Sequence, residues 1–173
     1  MFKLLGLLAV LSFAALTAGL APAHAQKSLP APQGAPILTV TGQIAVHNAG
    51  DAAVFDRALL RTIGQSKLKT STSWTEGTPE FEGVLVRDLL KAVGATGTKV
   101  TVIALNDYRV VLPVSDFEQY PVLLADRMDG KELTPRDKGP TWIVYPRDEY
   151  KALQNPETNS KWVWQVKEIR VEP

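Results

Sequence analysis

The residues best suited to chemistry in this sequence lie in one stretch, TSTSWTEGTPEFEG, at positions 70–83. Four hydroxyl side chains, residues 70–73, come directly before Trp74. Hydroxyl groups can hydrogen-bond to a small ligand, and a neighbouring aromatic ring can stack on it. A solvated β-strand with alternating Thr and Ser has the same sequence, so each hydroxyl alone favours an ordinary strand, and only the stretch as a whole predicts a pocket. The chain has no cysteine, which excludes thiolate chemistry.

Other residues capable of chemistry lack partners at a useful spacing. His47 is the only histidine after residue 25, and a lone histidine near a glycine turn favours a turn residue over a general base or metal ligand. Asp126, Asp129 and Glu132 surround a turn, but they lack the alternating spacing of a calcium-binding loop and indicate a solvated hairpin. We find no glycine-rich phosphate loop and no nucleophile elbow.

The first 25 residues have the pattern of a cleavable signal peptide. Lys3 precedes an apolar run, and Ala23-His24-Ala25 is a small-x-small cleavage site before Gln26. The apolar run is short and ends in Ala-Pro, so we expect export to a bacterial periplasm and no membrane anchor after cleavage. Residues 26–36 are rich in Pro, Gly and Ala and predict a flexible leader before one domain over residues 37–173.

The charge balance indicates the kind of partner. The chain has 19 basic and 18 acidic residues, and one basic residue, Lys3, lies in the predicted signal, so the mature chain has no net charge. We therefore expect no nucleic-acid partner. A small molecule, or a periplasmic or membrane protein, is the expected partner.

Hydrophobic periodicity predicts an α+β fold, a single mixed-sheet domain with short helices between strands. The pattern predicts strands over residues 37–46, 67–74, 99–105, 108–114, 141–145 and 162–171, and helices over 54–63, over 84–93 and from Ser115. Asn106-Asp107 and Asp129-Gly130 predict hairpin turns. In the last strand, alternation would place Trp162 and Trp164 on one face.

Five segments in this order resemble the molybdopterin-binding domain of the sulfite-oxidase family of oxidoreductases. They are a strand with a central glycine, the strand ending near Trp74 with its aromatic-x-Gly corner, LLADRMDGKEL, KGPTWIVYP and the closing KEIRV. The similarity covers roughly residues 37–172. It implies the family's fold, and it implies molybdopterin as cofactor with oxidoreductase activity.

The sequence departs from that family where the chemistry is done. By resemblance, the cysteine that binds molybdenum corresponds to Thr70, an arginine that meets an anionic group corresponds to Trp142, and one of two closing lysines corresponds to Trp164; Lys161 matches the other. A hydroxyl is a poor soft ligand. A groove lined by tryptophans in place of cations would favour flat or apolar ligands.

We therefore expect no cofactor and a non-catalytic periplasmic module that binds a ligand or acts in an accessory or sensory role. The alternative is a molybdopterin-dependent oxidoreductase whose metal is held by pterin sulfurs only. A purely structural envelope protein is a third possibility. The predicted ligand-binding residues are Thr70, Ser71, Thr72, Trp74, Asn106, Tyr108, Arg109, Lys138 and Trp142, with Tyr145, Arg147 and Lys161 as secondary candidates.

Overall fold

The computed structural model describes residues 29–173. The predicted signal peptide, residues 1–25, lies outside the described residues. The strands are β1 (Pro36–Gly42), β2 (Ala53–Asp56), β3 (Ser66–Lys69), β4 (Glu80–Leu85), β5 (Lys99–Ala104), β6 (Arg109–Pro113), β7 (Leu123–Met128), β8 (Lys131–Glu132), β9 (Trp142–Val144) and β10 (Val166–Glu172). The helices are α1 (Arg57–Ile63), α2 (Val86–Ala92), α3 (Val114–Gln119) and α4 (Pro156–Ser160), with a 3-10 turn at Lys151–Leu153.

The strands form two sheets. The first has the order β2-β1-β10-β5-β6, with β1 and β10 parallel and the other neighbours antiparallel. The second has the order β3-β4-β7-β8, and β9 also pairs with β7, all antiparallel. The prediction of an α+β fold with a mixed sheet and short helices is confirmed. None of the helices in residues 29–173 has the length and apolar content that a membrane-spanning helix requires.

The segment before β1 is held against the domain by Asp56, the residue that caps α1. Its carboxylate accepts the N–H of Leu59 at 2.7 Å and the N–H groups of Gln33 and Gly34 at 2.7 and 2.6 Å. Leu29 packs on the core. The sequence predicted residues 26–36 as a flexible leader; in the structure the described part, from residue 29, contacts the domain, and β1 begins at Pro36.

A buried carboxylate joins α1 to β7. The Asp126 side chain is 2% exposed, and its Oδ2 accepts hydrogen bonds from Arg57 at 3.1 Å and from Arg61 at 2.7 Å. Glu132 of β8 lies 3.2 Å from Arg61 on the outer side of the same group. The sequence indicated a solvated hairpin here; instead, the buried charge is compensated by two guanidinium groups.

Strands β4 and β7 approach closely at Gly83. A Cβ atom built on Gly83 would lie 2.1 Å from the carbonyl oxygen of Leu124, and the register of the two strands shifts at this residue. Only glycine fits so near a neighbouring backbone. The aromatic-x-Gly corner of the sequence is therefore a packing requirement of the second sheet.

Several element boundaries differ from the prediction. Residues 53–56 form a strand paired with β1, so the helix predicted over 54–63 begins at Arg57. The helix predicted from Ser115 begins at Val114; Ser115-Asp116-Phe117-Glu118 has the pattern of a capping box, but among the described residues no side chain caps this helix, so that pattern is not used. The last strand begins at Val166, because Gln165 has a φ of 54° and interrupts the extended chain. Trp162 and Trp164 therefore precede the strand.

Candidate functional site

The ten residues that join β3 to β4, residues 70–79, form a closed loop that we call the tryptophan loop. The N–H of Thr70 bonds to the carbonyl of Pro79 at 3.3 Å and closes its base. Within the loop, the Thr72 hydroxyl oxygen accepts the N–H of Trp74 at 2.9 Å and lies 2.8 Å from the Thr75 hydroxyl. These bonds fix the turn that presents Trp74.

The first two hydroxyls of the loop are bonded to the segment after β9. Thr70 is fully buried, and its Oγ1 accepts the N–H of Asp148 at 3.2 Å. Ser71 donates its N–H and its hydroxyl to the Asp148 carboxylate, each at 2.6 Å, and accepts from Arg147 at 3.0 Å. Burial opposes ionisation of Asp148, but the bonds from Ser71 outweigh it and lower the pKa of Asp148. These hydroxyls hold the chain to itself.

The four tryptophans of the chain form one contiguous group, which we call the tryptophan cluster. The ring centroid of Trp74 lies 5.9 Å from that of Trp162 and 5.5 Å from that of Trp164. Trp142 lies 6.2 Å from Trp162 and packs edge-on against Phe81 at 5.3 Å. Trp142 and Trp162 are buried, Trp164 is 37% exposed and Trp74 is half-buried, so the cluster runs from the core to the surface.

Two clefts lie against the exposed end of the cluster. The first has a volume of about 270 Å³ and is lined by Trp74, Ala104, Asn106, Tyr108, Asn159, Ser160, Trp162, Val163 and Trp164. The second has a volume of about 510 Å³ and is lined by Trp74, Met128, Leu133, Arg136, Asp137, Lys138, Trp164 and Gln165. Trp74 and Trp164 line both clefts, so this ring pair forms part of the wall of each.

The two clefts differ in charge. Among the described residues, no charged side chain lines the first cleft. The second has the cations Arg136 and Lys138 with the carboxylate Asp137. The Nζ atom of Lys138 also lies 5.6 Å from the ring centroid of Trp142, within the range of a cation–π contact.

The structure brings together some of the predicted ligand-binding residues. Trp74, Asn106 and Tyr108 line the first cleft, and Trp74 and Lys138 line the second. Tyr108 reaches the first cleft because the Asn106-Asp107 hairpin turn, confirmed by the bond from Asp107 N–H to the Ala104 carbonyl at 3.0 Å, lies at its edge.

Other predicted residues lie elsewhere. Thr70, Ser71 and Thr72 line neither cleft, since their hydroxyls are bonded within the chain. Trp142 has no exposed surface and is a core residue, because β9 packs against Phe81. Arg109 is exposed on β6, the edge strand of the first sheet, and lines neither cleft.

The secondary candidates are used in internal contacts. The Tyr145 hydroxyl donates to Asp116 at 3.0 Å, and the Lys161 ammonium donates to the same carboxylate oxygen at 2.9 Å. Burial, together with the Asp116 charge, raises the pKa of Tyr145, so the phenol stays protonated. Arg147 bonds to Ser71 as described above.

Sequence reasoning missed the residues that α4 contributes to the first cleft, Asn159 and Ser160. A signal was present, because Asn155-Pro156 is a helix start: Asn155 accepts the N–H of Thr158 at 2.8 Å, and proline occupies the first helical position. Arg136, in the loop before β9, was also missed, and nothing in its local sequence distinguishes it from a surface arginine.

The chain matches the family described as oxidoreductase molybdopterin binding domain over residues 57–167, more than half of its length. It belongs to this family, and the resemblance seen in the sequence is confirmed. Among solved structures it is similar to the sulfane dehydrogenase SoxCD from Paracoccus pantotrophus, with a TM-score of 0.57 and 16% identity over 79% of this chain. It spans 38% of that protein's chain, and the likeness shows the fold alone. No curated protein matches this chain.

The side chains at the position that corresponds to the family's metal ligand do not provide a suitable protein ligand for molybdenum. The position that the resemblance assigns to the metal-binding cysteine is Thr70, whose side chain is fully buried and whose oxygen holds the Asp148 N–H. The resemblance implies a soft thiolate as the molybdenum ligand, and a hydroxyl engaged in a structural bond is a poor replacement for it. Within residues 29–173, no three His, Cys, Asp or Glu side chains come together as a metal site.

Proposed function

We propose that this chain is a non-catalytic member of its family, exported to the periplasm, and that its first cleft binds a small molecule in an accessory or sensory role. The observation that carries the proposal is the state of Thr70. Its hydroxyl is part of the bond network that anchors the tryptophan loop, while Trp74 of the same loop faces a cleft. The loop thus supports ligand binding and offers no metal ligand.

The shape and composition of the first cleft support a small molecule as the occupant. Its volume of about 270 Å³ is just below the usual range for ligand pockets, and four of its nine lining side chains, three tryptophans and Tyr108, are aromatic. Asn106, Asn159 and Ser160 add polar groups that can orient a ligand. Few polar groups in an apolar cleft is the usual composition of such sites.

A second candidate function is a molybdopterin-dependent oxidoreductase in which the pterin sulfurs alone hold the metal. Family membership favours it, as do the two cations of the second cleft, Arg136 and Lys138, which could bind a phosphate. Each charge-assisted hydrogen bond is worth about 1.5–3 kcal/mol. Two such bonds would give modest affinity without a protein–metal bond.

Elemental analysis separates the two candidates. The protein is purified from a periplasmic fraction of a host that makes molybdopterin, and molybdenum is measured per protein chain. We expect a negligible molybdenum content. A stoichiometric content, or pterin fluorescence in the denatured supernatant, would contradict the non-catalytic proposal and support the second candidate. Amino-terminal sequencing of the same sample tests export, with Gln26 as the expected first residue.

A thermal-shift screen of uncharged, anionic and cationic metabolites tests ligand binding. A ligand at about 100 times its Kd stabilises the folded state by about 2.7 kcal/mol, which raises the Tm by about 5–10 °C for a domain of this size. The Trp74→Ala variant should lose the shift. Tyr150→Ala is the matched control, because Tyr150 is also a half-buried aromatic in an edge-to-face pair, with Tyr120, but it lines neither cleft. A screen without any shift would leave a structural role as the better account.

A further inference from the structure

In the part of the chain that the structure describes, no side chain that lines the first cleft is charged, although the family of this chain is named for a cofactor that carries a phosphate. Transfer of an anion into an apolar cleft is costly unless a cation or several donors compensate it. Here the walls are tryptophan and tyrosine rings, two asparagines, a serine and aliphatic groups. The charge balance of this cleft therefore selects an uncharged ligand.

Two residues that line this cleft each carry a buried polar atom without a hydrogen-bond partner within residues 29–173. The two atoms are the Oδ1 atom of Asn159, an acceptor, and the Nε1–H of Trp162, a donor. Trp162 is 3% exposed, and both residues line the cleft. A buried polar group without a hydrogen-bond partner is unfavourable, so a ligand group that pairs with both atoms would be bound favourably.

We propose that the first cleft binds a neutral planar ring that carries a carboxamide group. The amide N–H of the ligand donates to Asn159 Oδ1, its carbonyl oxygen accepts from the Trp162 indole N–H, and its ring packs on Trp74 and Trp164. An amide supplies a donor and an acceptor side by side without charge, which is what the two unpaired atoms require. This inference rests on the proposed ligand-binding function and names its ligand class.

Trp74 packs against one of the two residues that carry these atoms. Both atoms are covered, and the ring of Trp74 packs on Trp162 at a centroid distance of 5.9 Å. Trp74 is half-buried and belongs to a loop outside the sheets, whereas Trp162 is buried next to the core residue Trp142. In this proposal the Trp74 ring shifts to admit the ligand to these atoms and then packs on the ligand's ring.

Benzamide and benzoate test the proposal, because they differ only in a neutral carboxamide against a charged carboxylate. Each is titrated to about 20 mM, a range suited to ligands of this size. Binding is followed by the four tryptophan indole N–H signals in two-dimensional NMR of the full chain. We expect benzamide to bind about tenfold more tightly than benzoate and to shift the Trp162 signal downfield.

Trp162→Phe and Trp142→Phe are the matched variants, and each also assigns one indole signal. Both replace a buried tryptophan whose Nε1–H is unpaired, but only Trp162 lines the cleft. We expect Trp162→Phe to weaken benzamide binding about fivefold and Trp142→Phe to change it less than twofold, with thermal melts used to confirm that both variants are folded.

Three outcomes would overturn the inference. Equal or tighter binding of benzoate would contradict a neutral ligand, and bound benzamide without a change in the Trp162 signal would contradict the amide contact; in both cases the ligand-binding function would stand. No binding of either probe would also reject the carboxamide class, and the metabolite screen with Trp74→Ala would then decide the proposed function independently.

Discussion

Introducing a cysteine at residue 70 tests whether the position that corresponds to the family's metal ligand is accessible. Thr70→Cys removes the oxygen that accepts the Asp148 N–H, a bond worth about 1 kcal/mol, and one buried methyl group, worth about 0.8 kcal/mol. We expect a loss of about 1–2 kcal/mol in the free energy of unfolding, measured by urea denaturation. Since the chain has no other cysteine, the new thiol can be followed alone.

The reactivity of that thiol is the sharper measurement. Thr70 is fully buried, whereas Ser73, three residues on in the same loop, is exposed. We expect a thiol reagent to label Thr70→Cys at least about 100-fold more slowly than Ser73→Cys, which corresponds to an opening free energy of about 2.7 kcal/mol. Labelling rates within about tenfold of each other would refute the reasoning, because the position would then be open to a metal.

Three further changes test the fold that carries the site. Hydrogen bonds from backbone N–H groups, that of Leu59 first, lower the pKa of Asp56. The stabilising effect of its carboxylate is therefore present above the unfolded pKa of about 3.9 and is lost as the pH falls through the lower folded pKa. In acid titrations, the stability difference between the native chain and Asp56→Asn should shrink below about pH 4. Asp126→Asn should lower the free energy of unfolding in urea by about 3 kcal/mol, because two arginines lose a buried charged partner. The same change at the exposed Asp107 should lower it by less than about 0.5 kcal/mol. Equal losses for the two variants would contradict the role of burial. Gly83→Ala should cost at least about 3 kcal/mol or prevent folding, since its Cβ meets backbone at 2.1 Å, while Gly77→Ala, in open space at a φ of 63°, should cost about 1 kcal/mol.

Local turn chemistry made part of the fold predictable. Asn106-Asp107 and Asp129-Gly130 form the predicted turns, and Asp107, Asp129 and Gly130 have the positive φ values that these residue types tolerate. Boundaries set by pairing with distant strands were not predictable in the same way. Residues 54–56 have helical spacing, yet they pair with β1, because an exposed edge of the first sheet is available to them.

In the candidate site, too, features set by local sequence were predictable and features set by distant contacts were not. Trp74, Asn106 and Tyr108 were predicted from local signals, a tryptophan after a hydroxyl run and a polar hairpin turn, and they line the first cleft. The hydroxyls of Thr70 and Ser71 were predicted to bind a ligand, but their partner Asp148 lies 77 or 78 residues away in the sequence. Which polar groups are satisfied within the chain depends on such distant contacts, and periodicity carries no information about them.

Under the proposed function, the absence of a protein–metal bond and the aromatic cleft both depend on the tryptophan loop. The network of Thr70 and Ser71 with Asp148 fixes the base of the tryptophan loop, and the bond from Trp74 N–H to Thr72 fixes its turn. A thiolate that bound a metal at residue 70 would not accept the Asp148 N–H, so one bond of the network that anchors the loop would be lost. Under the proposed function, the network that holds Trp74 in place therefore also occupies the position that corresponds to the family's metal ligand.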